Sequence, residues 1–478
     1  MNIADPIHFH ATRRPDQPAV IFPQGRISWR QLDRALWGAA AHIHASGLRV
    51  GDRVGIAIQD PLVHLIAMLG LARIGVAHAA TPASEPVRGR TAVAEKLKLK
   101  AIITDVKTNA TPGIPSVLLD RAALSTGTAR VDPGIACDDK DQIWLLLQSS
   151  GTTGSPKYAE LSHAVAMARS QRFLPLFNCG IDDRFWPVSR LDFVVAKQRA
   201  VYSLHSGAAV CLPVGIPISP GLIPFLRAAA VTLACGTPSH LHQLIALSEK
   251  APALPTLRGF EARSATISEP LREAFRARFS PELSVVYGTN EAEALSLASP
   301  ELQKTVKNTV GMVTGSLELE LVDGAGMVVP PGTVGEVRVR GPGVVTEYLD
   351  NPGASERTFR QGWFYPGDLA CFTPESALVL QGRTDDMMIF DGMNIYPAEI
   401  ENALMEHPAV VDAAAFPLSS ERFQDVPAAA VILREPVSEK DLTGFCAARI
   451  GIKHPRVIRI VESFPRNAMG KILKRELK

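Results

Sequence analysis

"LLLQSSGTTGSPKYAELSH", residues 145–163, sets a short apolar run against nine residues of Ser, Thr, Gly, Pro and a single Lys. The run, bounded by turn residues, predicts a buried strand. The nine residues after it, Ser149 to Lys157, are too rich in glycine and hydroxyls to continue as a helix or strand. Glycines let backbone N–H groups converge, the hydroxyls add donors, and Lys157 adds positive charge. Such a loop is a cradle for phosphate oxygens. Its spacing is not that of the G-x-x-x-x-G-K-[ST] nucleotide loop: Gly151 and Gly154 stand three apart, and Lys157 lies between Pro156 and Tyr158.

The same alternation of apolar run and turn recurs along the chain. "RVGIAIQD" (53–60) reads as a buried strand and "PLVHLIAMLGLARIG" (61–75) as a helix ended by Gly75. "KAIITD" (100–105), "WLLLQ" (144–148), "AAVCLPV" (208–214), "VTLACG" (231–236) and "SVVYG" (284–288) are further strands. Continuous apolar strands interleaved with amphipathic helices predict an α/β fold whose parallel sheets are covered on both faces. Near "GTVGEVRVRGPGVV" (332–345) the pattern becomes alternating and Gly-punctuated, and after about residue 385 come helix, strand, helix and strand. That suffices for a small α+β domain.

The composition bounds what such a protein does. At 478 residues the chain exceeds one ordinary core, so two or more domains are expected. A net charge of +2 gives no ground for nucleic-acid binding, and no apolar stretch is long enough to span a bilayer. The first residues, "MNIADPIHFHATRRPDQ", lack the basic and then apolar regions of a secretory signal. Cysteines 137, 179, 211, 235, 371 and 446 are widely separated, with no CxxC, and read as reduced thiols of a cytoplasmic protein.

Four more segments, in order, extend the reading of the loop. They are "VVYGTNEAEA" (285–294), "GWFYPGDLA" (362–370), "GRTDDMMIFDGMNIYPAEIE" (382–401) and "PRNAMGKILKREL" (465–477). With the loop they resemble the ordered motifs of the adenylate-forming superfamily: acyl-CoA synthetases, peptide-synthetase adenylation domains and luciferases. The resemblance implies a large N-terminal domain of sheets covered by helices over 1–383, and a small mobile α+β domain over 384–478. It implies activation of a carboxylic acid by ATP as an acyl-adenylate, with release of pyrophosphate. Transfer to a thiol, of coenzyme A or of a carrier protein's phosphopantetheine, then gives a thioester and AMP.

The resemblance also implies roles. Ser149, Ser150, Gly151, Thr152, Thr153, Gly154 and Lys157 would hold the phosphates, and Glu291 with Thr152 would ligate Mg²⁺. Tyr287, with Gly288, would lie against adenine, Asp368 would accept from the ribose hydroxyls, and Arg383 would add a cation nearby. Lys471 would bridge the acyl carboxylate and ribose oxygens, Asp385 would be the hinge, and Gly392 would line the thiol tunnel.

Departures from the family pattern bear on the substrate. Asn290 stands where the family usually has Thr before the magnesium Glu; its amide can still donate to the α-phosphate. Tyr158 replaces a glycine after Lys157, and in "FEARSATISEP" (260–270) Arg263 replaces a glycine near the acyl pocket and Thr266 a proline near adenine. Asp192, in "WPVSRLDFVVAKQRAVYSLHSG" (186–207), falls in the segment that gates the acyl channel, with Arg190 and Lys197 beside it. Buried charges need partners: a polar substrate, or each other. A long unbranched fatty acid fits such a lining poorly. Amino-acid activation for a separate carrier is the rival for which Asp192 speaks, since an Asp here pairs with a substrate ammonium in such relatives. Luciferase-like oxygenation and a non-catalytic nucleotide sensor are further rivals. Residues 449–478 hold nine Lys/Arg against two Asp/Glu, a basic segment suited to coenzyme A phosphates or to an acidic carrier protein acting in trans.

Overall fold

In the computed structural model, two sheets with helices between and around them make up most of the molecule. The structure describes residues 1–125, 133–149, 156–216, 218–248, 253–263, 267, 269–280, 282–390, 393–420, 424–466 and 472–477. A six-stranded sheet runs in the order 116–118, 101–104, 53–57, 77–80, 143–149 and 157–162. Its strands are parallel until the last pair, where Ile143–Ser149 and Lys157–Ser162 turn antiparallel with Ser149 opposite Lys157. The opening stretch is therefore a hairpin, and its two anchoring residues flank the loop. Tyr158 is the bulky departure from the family pattern. It is buried in the core with Ala57, Ala79 and Leu146, and burial pushes its hydroxyl up to about 12.

The helix Pro61–Arg73 shows why the layers hold. Asp60 caps it, accepting from the backbone N–H groups of Leu62 and Val63. Every residue from Leu62 to Arg73 is buried, as a helix that is apolar on all faces must be.

The second sheet has fifteen strands and changes character along its length. Strands 18–22, 209–211, 184–187, 233–236, 259–263 and 283–289 are parallel neighbours, as the apolar runs predict. From Leu283–Thr289 onward every new pair is antiparallel, through 293–298, 309–313, 378–383 and 368–372. The change begins where the helical crossovers give way to the turn 290–292, too short to return a chain in parallel. The carboxyl ends of 259–263 and 283–289 and the start of 368–372 thereby come together.

Residues 388–460 build a separate five-stranded sheet, packed against helices Pro397–Met405 and Glu439–Ile450 around a core that includes Met388, Ile400, Leu404 and Leu442. This is the small α+β domain expected from the sequence. All six cysteines are free thiols. Among the described residues no helix is long and apolar enough to cross a membrane.

Candidate active site

The hairpin, the strand end Tyr287–Glu291 and the start of Asp368–Phe372 surround one cavity of about 1040 Å³. Ser149, Lys157, Asn290 and Glu291 line one side of it, and Tyr287, Asp368 and Arg383 another. Gly288, Arg263 and the hinge candidate Asp385 line it too, as do Glu401 and Asp412 of the small domain. Asp192 and Lys197 are not among its lining residues. Ser150, Gly151, Thr152, Thr153, Gly154, Gly392 and Lys471 lie outside the described residues. The described residues on either side of Lys471 are anchored beside the cavity. Arg466 pairs with Ile472 across a β-bridge and binds Asp412 at 2.6 Å, and Lys474 binds Glu401 at 2.6 Å.

Glu291 is nearly fully buried, and its Oε1 accepts hydrogen bonds from the hydroxyls of Ser149 (2.5 Å) and Tyr348 (2.7 Å). Its Oε2 has no partner among the described residues. One oxygen thus fixes the carboxylate and the other is available to the cavity, which suits a hard cation such as Mg²⁺. No group of three or more His, Cys, Asp or Glu that could hold a metal occurs among the described residues, so phosphate oxygens and water would complete the shell. Lys157 Nζ lies 4.9 Å from the centre of the Tyr348 ring, so one aromatic side chain joins the loop lysine to the acidic residue. Burial, with the Glu291 charge added, raises the Tyr348 hydroxyl well above its ordinary value and keeps it a donor.

The backbone of Asn290–Ala292 is held from beneath by helix His163–Phe177. Arg169 donates to the carbonyls of Gly343 (2.7 Å), Asn290 (3.1 Å) and Glu291 (2.6 Å), and Arg172 to that of Ala292 (2.6 Å). Burial lowers the Arg169 guanidinium to about 10, still charged at neutral pH. Asn290 spends one amide hydrogen on the carbonyl of Gln148 at 2.7 Å, tying the Glu291 segment to the strand that enters the phosphate loop.

Opposite, Tyr287 donates to Asp368 Oδ2 at 2.6 Å and Arg383 donates to Asp368 Oδ1 at 3.0 Å. The three residues that the motifs single out for nucleoside contact form one chain. Burial, and then the Asp368 charge, pushes the Tyr287 phenol far above its usual value.

Under the acid side lies a buried ionic network. Arg199 grips Glu261 at 2.8 and 2.9 Å and Glu293 at 2.6 Å. Arg263 meets Glu261 at 3.1 Å and Glu293 at 3.2 Å, and Arg172 approaches Glu293 at 3.6 Å. Against the burial that would raise it, Arg199, Arg263 and Arg172 hold the Glu293 carboxyl well below the carboxylate range. Glu293 adopts a left-handed backbone, φ 65°, a strain that the network sustains. Asp192 is engaged by Arg190 at 2.6 Å, with His64 at 3.9 Å.

The motifs in the sequence do not reveal Arg169, Arg172, Tyr348 or the Arg199–Glu261–Glu293 network. The available signal was two arginines three apart in an otherwise apolar helix, and Glu261 within an apolar strand.

Two family models match in sequence order: AMP-binding enzyme over residues 7–349, and AMP-binding enzyme C-terminal domain over 399–471. The chain belongs to the AMP-binding enzyme family. It is an AMP-forming acid–thiol ligase by class. Among similar proteins is the 2-succinylbenzoate–CoA ligase of Bacillus subtilis strain 168, 26% identical over 97% of this chain and 95% of that one. Another is the medium-chain fatty-acid–CoA ligase of Escherichia coli K12, 25% identical over 99% of this chain and 89% of that one. The O-succinylbenzoate coenzyme A synthetase of Bacillus subtilis, solved in complex with ATP and magnesium ion, superposes with a TM-score of 0.87 at 25% identity, covering 99% of this chain and 98% of that one. The amide bond synthetase of Marinactinospora thermotolerans shares the fold, with a TM-score of 0.89 at 22% identity, covering 99% of this chain and 98% of that one.

Proposed function

We propose that this chain activates a small carboxylic acid with ATP and passes the acyl group to coenzyme A or to the phosphopantetheine of a separate carrier protein. The observation that carries the reading is the convergence of Lys157, Glu291, Tyr287 and Asp368 on one cavity that both parts of the chain line. An acid oxygen attacks the α-phosphorus, the bond to the β-phosphate oxygen breaks, and pyrophosphate leaves. The thiol sulfur then attacks the acyl carbonyl carbon, AMP leaves, and the thiol proton passes to solvent.

Lys157 places positive charge where the departing phosphates gather, and Asn290 keeps a second amide hydrogen for the α-phosphate. Asp368, steadied by Tyr287 and Arg383, receives the ribose hydroxyls. A bound Mg²⁺ would add charge neutralisation at the phosphates, with Glu291 as its protein ligand. In this reading Thr152, Thr153 and their loop neighbours cradle phosphate, Lys471 orients the acid during the first step, and Gly392 lines the thiol path. The boundary falls between 383 and 384, with Asp385 as pivot. Asp192, paired with Arg190, does not line the cavity, which weighs against amino-acid activation.

Acid-dependent ATP–pyrophosphate exchange tests the first step over fatty, aryl, dicarboxylic, hydroxy and amino acids. Lys471→Ala should abolish exchange yet leave thioester formation from supplied acyl-adenylate largely intact. Silence across the panel, with ATP still bound, would overturn adenylation and favour the sensor reading.

A further inference from the structure

We propose that Arg263 selects acids carrying a second carboxylate, so that the substrate is a dicarboxylic acid; this rests on the adenylation reading. Two carboxylates hold the guanidinium from different sides, Glu261 at Nε and Glu293 at Nη1. The remaining nitrogen, Nη2, has no partner among the described residues, and the side chain lines the cavity. Nη2 sits where a side chain at Gly288 would be, 2.9 Å from the position a Cβ would take there. The lone glycine hydrogen thus makes room for a donor pair held in one orientation. Such a preorganised fork matches an oxygen anion.

The charge balance points the same way. Arg172, Arg199 and Arg263 face Glu261 and Glu293, which leaves one net positive charge among side chains no more than 6% exposed. Among the described residues Arg172 Nε and Nη1 and Arg199 Nη1 are buried without hydrogen-bond partners, against one such acceptor, Glu293 Oε2, so donors are in excess. Arg263 is the member of this network that most directly opens on the cavity, and an anion placed against it would offset the surplus. The reacting carboxylate is oriented by Lys471 in this reading, which leaves Arg263 for a second one.

Pyrophosphate exchange on the wild-type protein, comparing unbranched diacids with monoacids of equal chain length, decides between outcomes. The expected result is a kcat/KM at least tenfold higher for the diacids. Arg263→Lys, which keeps a cation for Glu261 and Glu293, should lower the diacid-to-monoacid ratio about thirtyfold. A wild-type preference for monoacids would overturn the proposal. So would an equal loss for every acid in the variant, which would assign Arg263 to the reacting carboxylate. Thermal shift with a non-hydrolysable ATP analogue and Mg²⁺ separates the two levels. A larger shift with diacids but no exchange would overturn adenylation and keep the acid selectivity. No preference in either measurement would overturn the selectivity itself.

Discussion

Tyr348 places one hydroxyl on Glu291 and one ring face under Lys157, so two groups on different strands depend on it. Tyr348→Phe keeps the ring and removes a hydrogen bond to a charged acceptor, worth about 1.5–3 kcal/mol in a buried setting. The Mg²⁺ concentration for half-maximal exchange should rise about tenfold, with a lowered melting temperature; an unchanged Mg²⁺ requirement would remove Tyr348 from that role. Lys197 poses the opposite case. It is buried, with no hydrogen-bond or ion-pair partner among the described residues, beside Asp192, His64 and His78. Burial, only partly offset by Asp192, pulls its ammonium down to about 8 from 10.5. The folded form thus loses its proton first, and between these values the unfolded chain holds more protons, so stability rises with pH. Below pH 8 the burdened charge costs about 3 kcal/mol. Lys197→Met should stabilise the protein by about that much in urea unfolding at pH 7, and the gain should vanish near pH 10.5.

At the scale of elements, the turn from Leu283–Thr289 into Glu293–Ala298 carries the densest constraint. A Cβ on Gly288 would stand 2.1 Å from the Glu293 carbonyl oxygen, and backbone cannot yield as a side-chain tip can. Gly288→Ala should cost about 3 kcal/mol in urea unfolding and more than tenfold in exchange, since the Arg263 guanidinium must move as well. Wild-type behaviour in both assays would show that the two strands part easily. The elements themselves were largely legible, because apolar runs followed by turn residues report strands locally. That Lys157, Tyr287, Glu291, Asp368 and Arg383 belong together was legible, because each sits within a contiguous motif, and they line one cavity. The ionic network was not: Arg199 and Glu261 are 62 positions apart, and only the packing of helix Val194–His205 against the sheet makes them neighbours. Tyr348 was hidden for the same reason, 57 positions from the carboxylate it holds. Nor does the sequence distinguish Asp192 bound to Arg190 from Asp192 facing a ligand, since that depends on side-chain direction.

For the whole molecule, the cavity belongs to both domains: Tyr287 and Asp368 line it from one, Glu401 and Asp412 from the other. Ligands that fill it bridge the two, so ATP with a productive acid should slow protease cleavage in the segment 384–392 severalfold. Cleavage at an unchanged rate under saturating ligand would mean that the domains do not close on it. The buried network also bears on the history of the chain. Because Arg199, Arg263, Glu261 and Glu293 neutralise one another, deleting any one strands its partners, at a cost of about 3–5 kcal/mol. A lineage leaving this arrangement for a fully apolar acid pocket would have to exchange several charges together, because most single-step intermediates fall below the threshold for folding. With Arg263 reading the acid as proposed, the network acts as an evolutionary ratchet, and descendants of this gene should vary at the surface long before they change the kind of acid they accept.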